Sequence, residues 1–217
     1  MFIAYVIAAI VFLFQSGIHA ATSKSPTPMQ ALSMLMEGNR HFVTGEMKHI
    51  SYISEAKNRL LENQTPFAVI VGCSDSRVPP EVIFDRGLGE LFIVRVAGNV
   101  LGPIELDSIN FAIKHLDVPL VMVLGHQNCG AVDASLKGKE NVPEFLDAIY
   151  PLIEEALKNC VTIGPNALAN AISCNVKKGV DILKNSSELA PLIEQKKVKI
   201  VGGYFEFDTG KVNLISD

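Results

Sequence analysis

Most of the reactive side chains fall in two short segments, Cys73-Ser74-Asp75-Ser76-Arg77 and Gly125-His126-Gln127-Asn128-Cys129-Gly130. Cys73, His126 and Cys129 offer two thiolates and one imidazole, soft sulfur with borderline nitrogen, which is a zinc donor set of tetrahedral habit. The His-x-x-Cys spacing lets one turn supply two of the ligands. Structural zinc sites close with four Cys or His ligands, whereas three protein ligands leave a corner for water, as catalysis requires. Cys160 and Cys174 lie far along the chain in helical segments and are weak candidates for a fourth ligand. Two other readings stay open. Cys73 and Cys129 can act as small buried hydrophobes, or can pair as a disulfide in an oxidising compartment. Cys160 and Cys174 can likewise pair or remain buried thiols. Asp75 and Arg77, two residues apart, share a face if their segment is extended. The planar Arg fork can then hold the carboxylate ionised beside a metal. A solvated ion pair, worth little, is the plain alternative, but the end of a buried strand is not where one is expected.

These segments need elements that deliver them to one place. Phe67 to Gly72, Leu91 to Val96 and Leu120 to Leu124 are short apolar runs. They read as strands buried on both faces, as in a parallel sheet. Between the last two, Ile104 to Leu116 is apolar at helical spacing behind Gly102-Pro103, giving a strand–helix–strand unit with a right-handed crossover. Ala31, Leu32, Leu35, Met36 and Phe42 mark an earlier helix, with Gly45 just past its end. Ile53 to Leu61 suggests a second amphipathic helix. Residues 143–159 and 166–184 suggest two more, broken by Gly164-Pro165. Lys199 to Phe207 reads as a late strand, and Lys211 to Ile215 can return along it as a hairpin after Asp208-Thr209-Gly210. The expected fold is a single α/β domain over 29–217 with a mostly parallel central sheet flanked by helices. Ligands of open α/β sheets sit beyond the carboxyl ends of strands. Both reactive segments leave their strands at that edge.

The whole chain fits this size of domain. It has 217 residues, 48% apolar and 19% charged, which excludes a disordered chain. With 19 Lys and Arg against 23 Asp and Glu, the formal net charge of −4 argues against nucleic acid as a partner. Residues 1–20 contain no Lys, Arg, Asp or Glu, and Phe2 to Phe14 is almost wholly apolar before Gln15 to Ala20 turns small and polar. This predicts a secretory signal cleaved near Ala20 or Ala21, although no basic residue precedes the apolar run. An uncleaved membrane anchor is the lesser alternative, because the run is shorter than the roughly 20 residues a span needs. A linker over 21–28 follows.

The pattern resembles the β-class carbonic anhydrases. Cys73-Ser74-Asp75-Ser76-Arg77-Val78-Pro79-Pro80-Glu81, Gly89 to Asn99, and Gly125 to Gly130 carry the likeness, which extends over nearly all of the mature chain. The resemblance implies that Cys73, His126 and Cys129 hold one zinc ion per chain. It implies that Asp75 and Arg77 form the catalytic dyad, and that Gln64, Phe92 and Phe111 line the substrate pocket, with Gln64 reaching a neighbouring subunit. Phe111 stands where many relatives carry Tyr, so the hydroxyl found there is missing. Arg95 matches an Arg of the bicarbonate regulatory site of some relatives, but Ile70 replaces its Trp, so that regulation is not expected. The implied reaction is reversible hydration of carbon dioxide to bicarbonate and a proton by a zinc-bound hydroxide. The implied assembly is a homodimer or homotetramer, and the export signal would place it in a bacterial periplasm. A swing of Asp75 from Arg77 onto the metal, closing the site, is a second state the resemblance implies. Hydration of carbonyl sulfide or carbon disulfide, a non-catalytic zinc protein, and a metal-free secreted thiol protein are the competing readings.

Overall fold

The computed structural model describes residues 25–48, 61 and 63–217. The expected signal over 1–20 lies outside the described residues, as does the expected helix over Ile53 to Leu61 apart from Leu61 itself. Helix α1 (Pro28–Thr44) opens with the Thr27 side chain on the backbone N–H of Gln30 and Pro28 in the first turn. It closes at Gly45, whose φ of 72° is the left-handed conformation glycine adopts without penalty. The helix therefore begins at the last residue of the expected linker.

The sheet follows from the apolar runs. Strands β1 (Ala68–Gly72) and β3 (Leu120–His126) are buried along their whole lengths. Strand β2 (Leu91–Arg95) flanks β1, and β4 (Lys199–Phe205) flanks β3. The order is β2-β1-β3-β4-β5, parallel through β4, with β5 (Val212–Ser216) antiparallel at the edge as the expected hairpin. Between the strands lie α2 (Pro80–Ile83), α3 (Pro103–His115), α4 (Gly130–Leu136), α5 (Tyr150–Leu157), α6 (Ala167–Lys184) and α7 (Ala190–Glu194).

Alternation along the strands splits the core into two layers. Ala68, Ile70, Leu120, Met122 and Leu124 pack towards α1, α2 and α4. Val69, Val71, Val121 and Val123 pack towards α3 and most of α6. Two expectations need correction. The helix expected over 143–159 is regular only over Tyr150–Leu157; before it run two 3-10 turns, Lys139–Asn141 and Glu144–Leu146. Pro143, just before the second turn, and Pro151, in the first turn of α5, lack the N–H that one continuous helix through both would require. Strand β3 runs two residues beyond the expected Leu124, so His126 is the last residue of the strand rather than part of the turn.

From β1 the chain crosses to β2 on one side, and β3 then enters on the other side of β1. The order of connection therefore reverses between β1 and β3. Loops leaving the carboxyl ends of such a pair diverge and open a crevice. Gly72 is paired opposite Leu124, so the residues that follow each emerge side by side into that crevice.

Candidate metal centre

Cys73 leaves β1 into the crevice, and His126 ends β3 on the same face as Leu124. Asn128 turns the chain with a φ of 55°, a conformation that Asn tolerates better than most residues. Cys129 then caps the amino end of α4. One atom from each of Cys73, His126 and Cys129 lies within 4.8 Å of the others, and all three residues are buried. The sulfurs of Cys73 and Cys129 are 4.0 Å apart and unbonded. Two thiolates on one tetrahedral zinc would lie about 3.8 Å apart, given Zn–S bonds of about 2.3 Å.

The imidazole is prepared for the same purpose. His126 Nδ1 lies 2.9 Å from the carbonyl of Gln127, which can only accept, so Nδ1 carries the proton. Nε2 is left with its lone pair, buried and without a hydrogen-bond partner among the described residues. A buried unpartnered nitrogen facing two thiols is the environment a metal ion satisfies. Both sulfurs are supplied with donors. The backbone N–H of Gly98 donates to Cys73 Sγ at 3.3 Å, and N–H groups of α4's first turn face Cys129. The hydrogen bond from Cys129 lowers the Cys73 titration, and the same contact, with burial, pushes Cys129 up. The donor set fits zinc.

Beside the thiols, Arg77 grips Asp75 as a two-pronged fork. Nε donates to Oδ1 at 2.9 Å and Nη2 to Oδ2 at 2.7 Å. The backbone N–H of Arg77 also donates to Oδ1, at 3.0 Å. The pair is formed by a turn closed from Val78 N–H to the Asp75 carbonyl, not by the extended segment expected from spacing. A two-residue Asx turn brings backbone and side-chain donors to the same carboxylate, which an extended strand cannot do. The fork, more than any other contact, holds the Asp75 carboxyl well below the usual range; partial burial opposes the shift. Asp75 Oδ2 lies 3.9 Å from His126 Nε2. Arg95, matched in sequence to a regulatory Arg, donates to the carbonyls of Cys73 at 2.8 Å and Asp75 at 2.6 Å.

The expected pocket residues are not gathered here within one chain. Phe92, opposite Val69 in the sheet, packs with the α3-side layer, whereas Cys73 and Cys129 belong to the other layer. Phe92 meets Phe111 of α3 with ring centroids 6.3 Å apart, and Gln64 is exposed. Three contributors escaped sequence reasoning: Gly98, which donates to Cys73; Asn175 of α6, which holds the Gly98 carbonyl at 2.7 Å; and Phe207, whose ring lies under Arg77. Each acts through contacts made only on folding. The Ala97-Gly98-Asn99 motif was the one signal available, because a glycine with φ of 72° marks a turn that other residues resist. Cys160 and Cys174 form a disulfide, resolving the alternative left open for them.

A family model described as carbonic anhydrase matches residues 68–212. A carbonic anhydrase of Mycolicibacterium smegmatis is 48% identical over 194 residues, covering 87% of this chain and 94% of the relative. Carbonic anhydrase 2 of Mycobacterium tuberculosis is 36% identical over 195 residues, covering 86% and 92%. Among solved structures, a β-carbonic anhydrase of Coccomyxa in complex with acetazolamide superposes with a TM-score of 0.69 at 24% identity, covering 84% of this chain and 85% of that one. One of two tetrameric β-carbonic anhydrases of Sordaria macrospora gives 0.68 at 21%, covering 84% and 95%.

Proposed function

The chain belongs to the β-carbonic anhydrases, zinc lyases that interconvert carbon dioxide and water with bicarbonate and a proton, and from that premise we propose how its own residues divide the work. Cys73 Sγ, Cys129 Sγ and His126 Nε2 hold one zinc ion per chain. When bound, zinc would supply a Lewis acid that lowers the pKa of a water molecule it coordinates. The two thiolates cancel its charge, so this lowering is smaller than in a site of three imidazoles.

Asp75 compensates by orientation. Both of its oxygens accept from Arg77, which keeps the carboxylate ionised and able only to accept. Asp75 Oδ2 faces the crevice beside His126 Nε2. There it would accept an O–H from the water that the metal activates and so hold that water in the crevice. Arg77 is the strut of this arrangement, anchored in turn to the Asn128 carbonyl at 3.3 Å. The observation that carries the reading is the forked Asp75–Arg77 pair beside three convergent, buried metal donors. A structural zinc site has no use for such a dyad.

Gln64, Phe92 and Phe111 enter this scheme through a second copy of the chain, as parts of an oligomeric site. The apolar N-terminus directs export, to a periplasm if the source is bacterial. A reporter fused behind the first 21 residues and retained in the cytoplasm would contradict that. The central test pairs zinc analysis with stopped-flow hydration for the native chain and Asp75→Ala. We expect about one zinc per chain in both, with most turnover lost in the variant. Full activity in Asp75→Ala would remove the dyad from the mechanism, and absence of zinc from the native protein would remove the mechanism itself.

A further inference from the structure

Phe207 follows β4 by two residues, and one ring serves two members of the site. The Arg77 guanidinium carbon sits over it, 4.5 Å from its centroid. The His126 ring meets it at 5.8 Å with an interplanar angle of 64°. Phe207 is itself held from two sides. Its backbone N–H donates to Gln127 Oε1 at 2.8 Å, and Gln127 Nε2 donates to Asp208 Oδ2 at 2.9 Å. Phe205 meets its ring edge-on at 5.6 Å, with planes 87° apart. The segment after β4 is thus clasped to Gln127, the residue that follows His126.

The fork between Arg77 and Asp75 fixes each to the other, and the Nη2 donation to the Asn128 carbonyl at 3.3 Å tethers one edge of the guanidinium without covering its flat face. The Arg77 side chain is 52% exposed, so water competes for it on the open side. Phe207 adds a support under that flat face, and its negative ring face attracts the cation. We infer that Phe207 is a positioning residue for the hydration reaction, setting the Asp75–Arg77 pair against the His126 ligand through a single ring. This deepens the dyad reading and rests on it. An aliphatic side chain of similar bulk fills the space but offers no π face to a guanidinium.

The test compares Phe207→Leu and Phe207→Tyr with the native chain, and includes Asp75→Asn. Hydration is read as kcat/KM at confirmed zinc content. The second readout is solvent exchange of the Arg77 Nε–Hε signal by nitrogen-15 NMR, assigned with Arg77→Lys. Phe207→Leu is expected to lose about fivefold in kcat/KM, in keeping with the strength of a cation–π contact, and to exchange Arg77 Hε faster. Phe207→Tyr retains the ring face and stays within about twofold on both readouts. Unchanged Arg77 exchange in Phe207→Leu overturns the inference whatever its activity, as does a Tyr variant that falls as far as Leu. A fully active Asp75→Asn overturns the dyad reading and this inference together. An inactive Asp75→Asn beside a native-like Phe207→Leu removes only the role of Phe207.

Discussion

At the scale of single residues, the site depends on keeping a carboxylate charged while partly removing it from water. The hydrogen bonds from the Arg77 side chain are the largest cause of the depressed Asp75 titration, with the Arg77 backbone N–H adding to it. A group whose folded titration is depressed contributes stability above its unfolded value, near 3.9 for Asp, and loses it as pH falls through the folded value. The dyad therefore stays intact across the whole neutral range, and protonation of Asp75 cannot account for any loss of activity between pH 5 and 8. The expected measurement is a carbon-13 signal for the Asp75 carboxylate in the metal-free protein that holds its ionised shift down to about pH 4, where an ordinary Asp is about half protonated. A midpoint at or above that value would show the fork absent in solution. Cys73, His126, Cys129, Asp75 and Arg77 were legible in the sequence because each carries its chemistry in its own side chain and stands at a strand end. Gly98, Asn175 and Phe207 were not. Asn175 acts on a carbonyl 77 positions away, and nothing in its local sequence marks that.

At the scale of elements, the placement of His126 depends on how closely α6 approaches β3. Gly125 makes this possible: a Cβ there would lie 2.6 Å from Val176 Cγ2 and 3.0 Å from Ile172 Cγ2, both on α6. Gly125→Ala must push the helix off the sheet beside a metal ligand. The expected cost is about 1–3 kcal/mol, the usual range for overpacking a filled core, read as a lower urea midpoint with an unchanged slope. An unshifted midpoint would mean that α6 yields freely. The strands were legible as apolar runs, and α3 and α6 as periodic ones. Helices α2 and α4, four and seven residues long, are too short to show a helical period, and Pro80 and Gly130 at their starts read equally well as turns. Which strands are neighbours was not written in any one run. It comes from the reversal between β1 and β3, which a strand list in chain order does not contain.

At the scale of the whole molecule, one chain presents a metal centre without the pocket residues that the family resemblance assigns to it. Ile104 and Phe111 stand on one stripe of α3, and they are 77% and 47% exposed. Phe92 lies against Phe111 beneath that stripe. Two large apolar side chains aligned on an exposed helix face, joined to a third that should line the pocket, are the pattern of a surface completed by another subunit. Phe111→Glu places a charge where that subunit would desolvate it, at a position that one chain leaves half open to water, so folding should survive. Sedimentation velocity is expected to show the native chain as an oligomer and the variant dissociated. Hydration should fall in proportion, while zinc content stays near that of the native protein because Cys73, His126 and Cys129 come from one chain. A variant that keeps both its assembly and its full turnover would return Phe92 and Phe111 to the role of ordinary packing residues, and the carbon dioxide pocket would then have to be built from the β3–β4 side of the crevice alone.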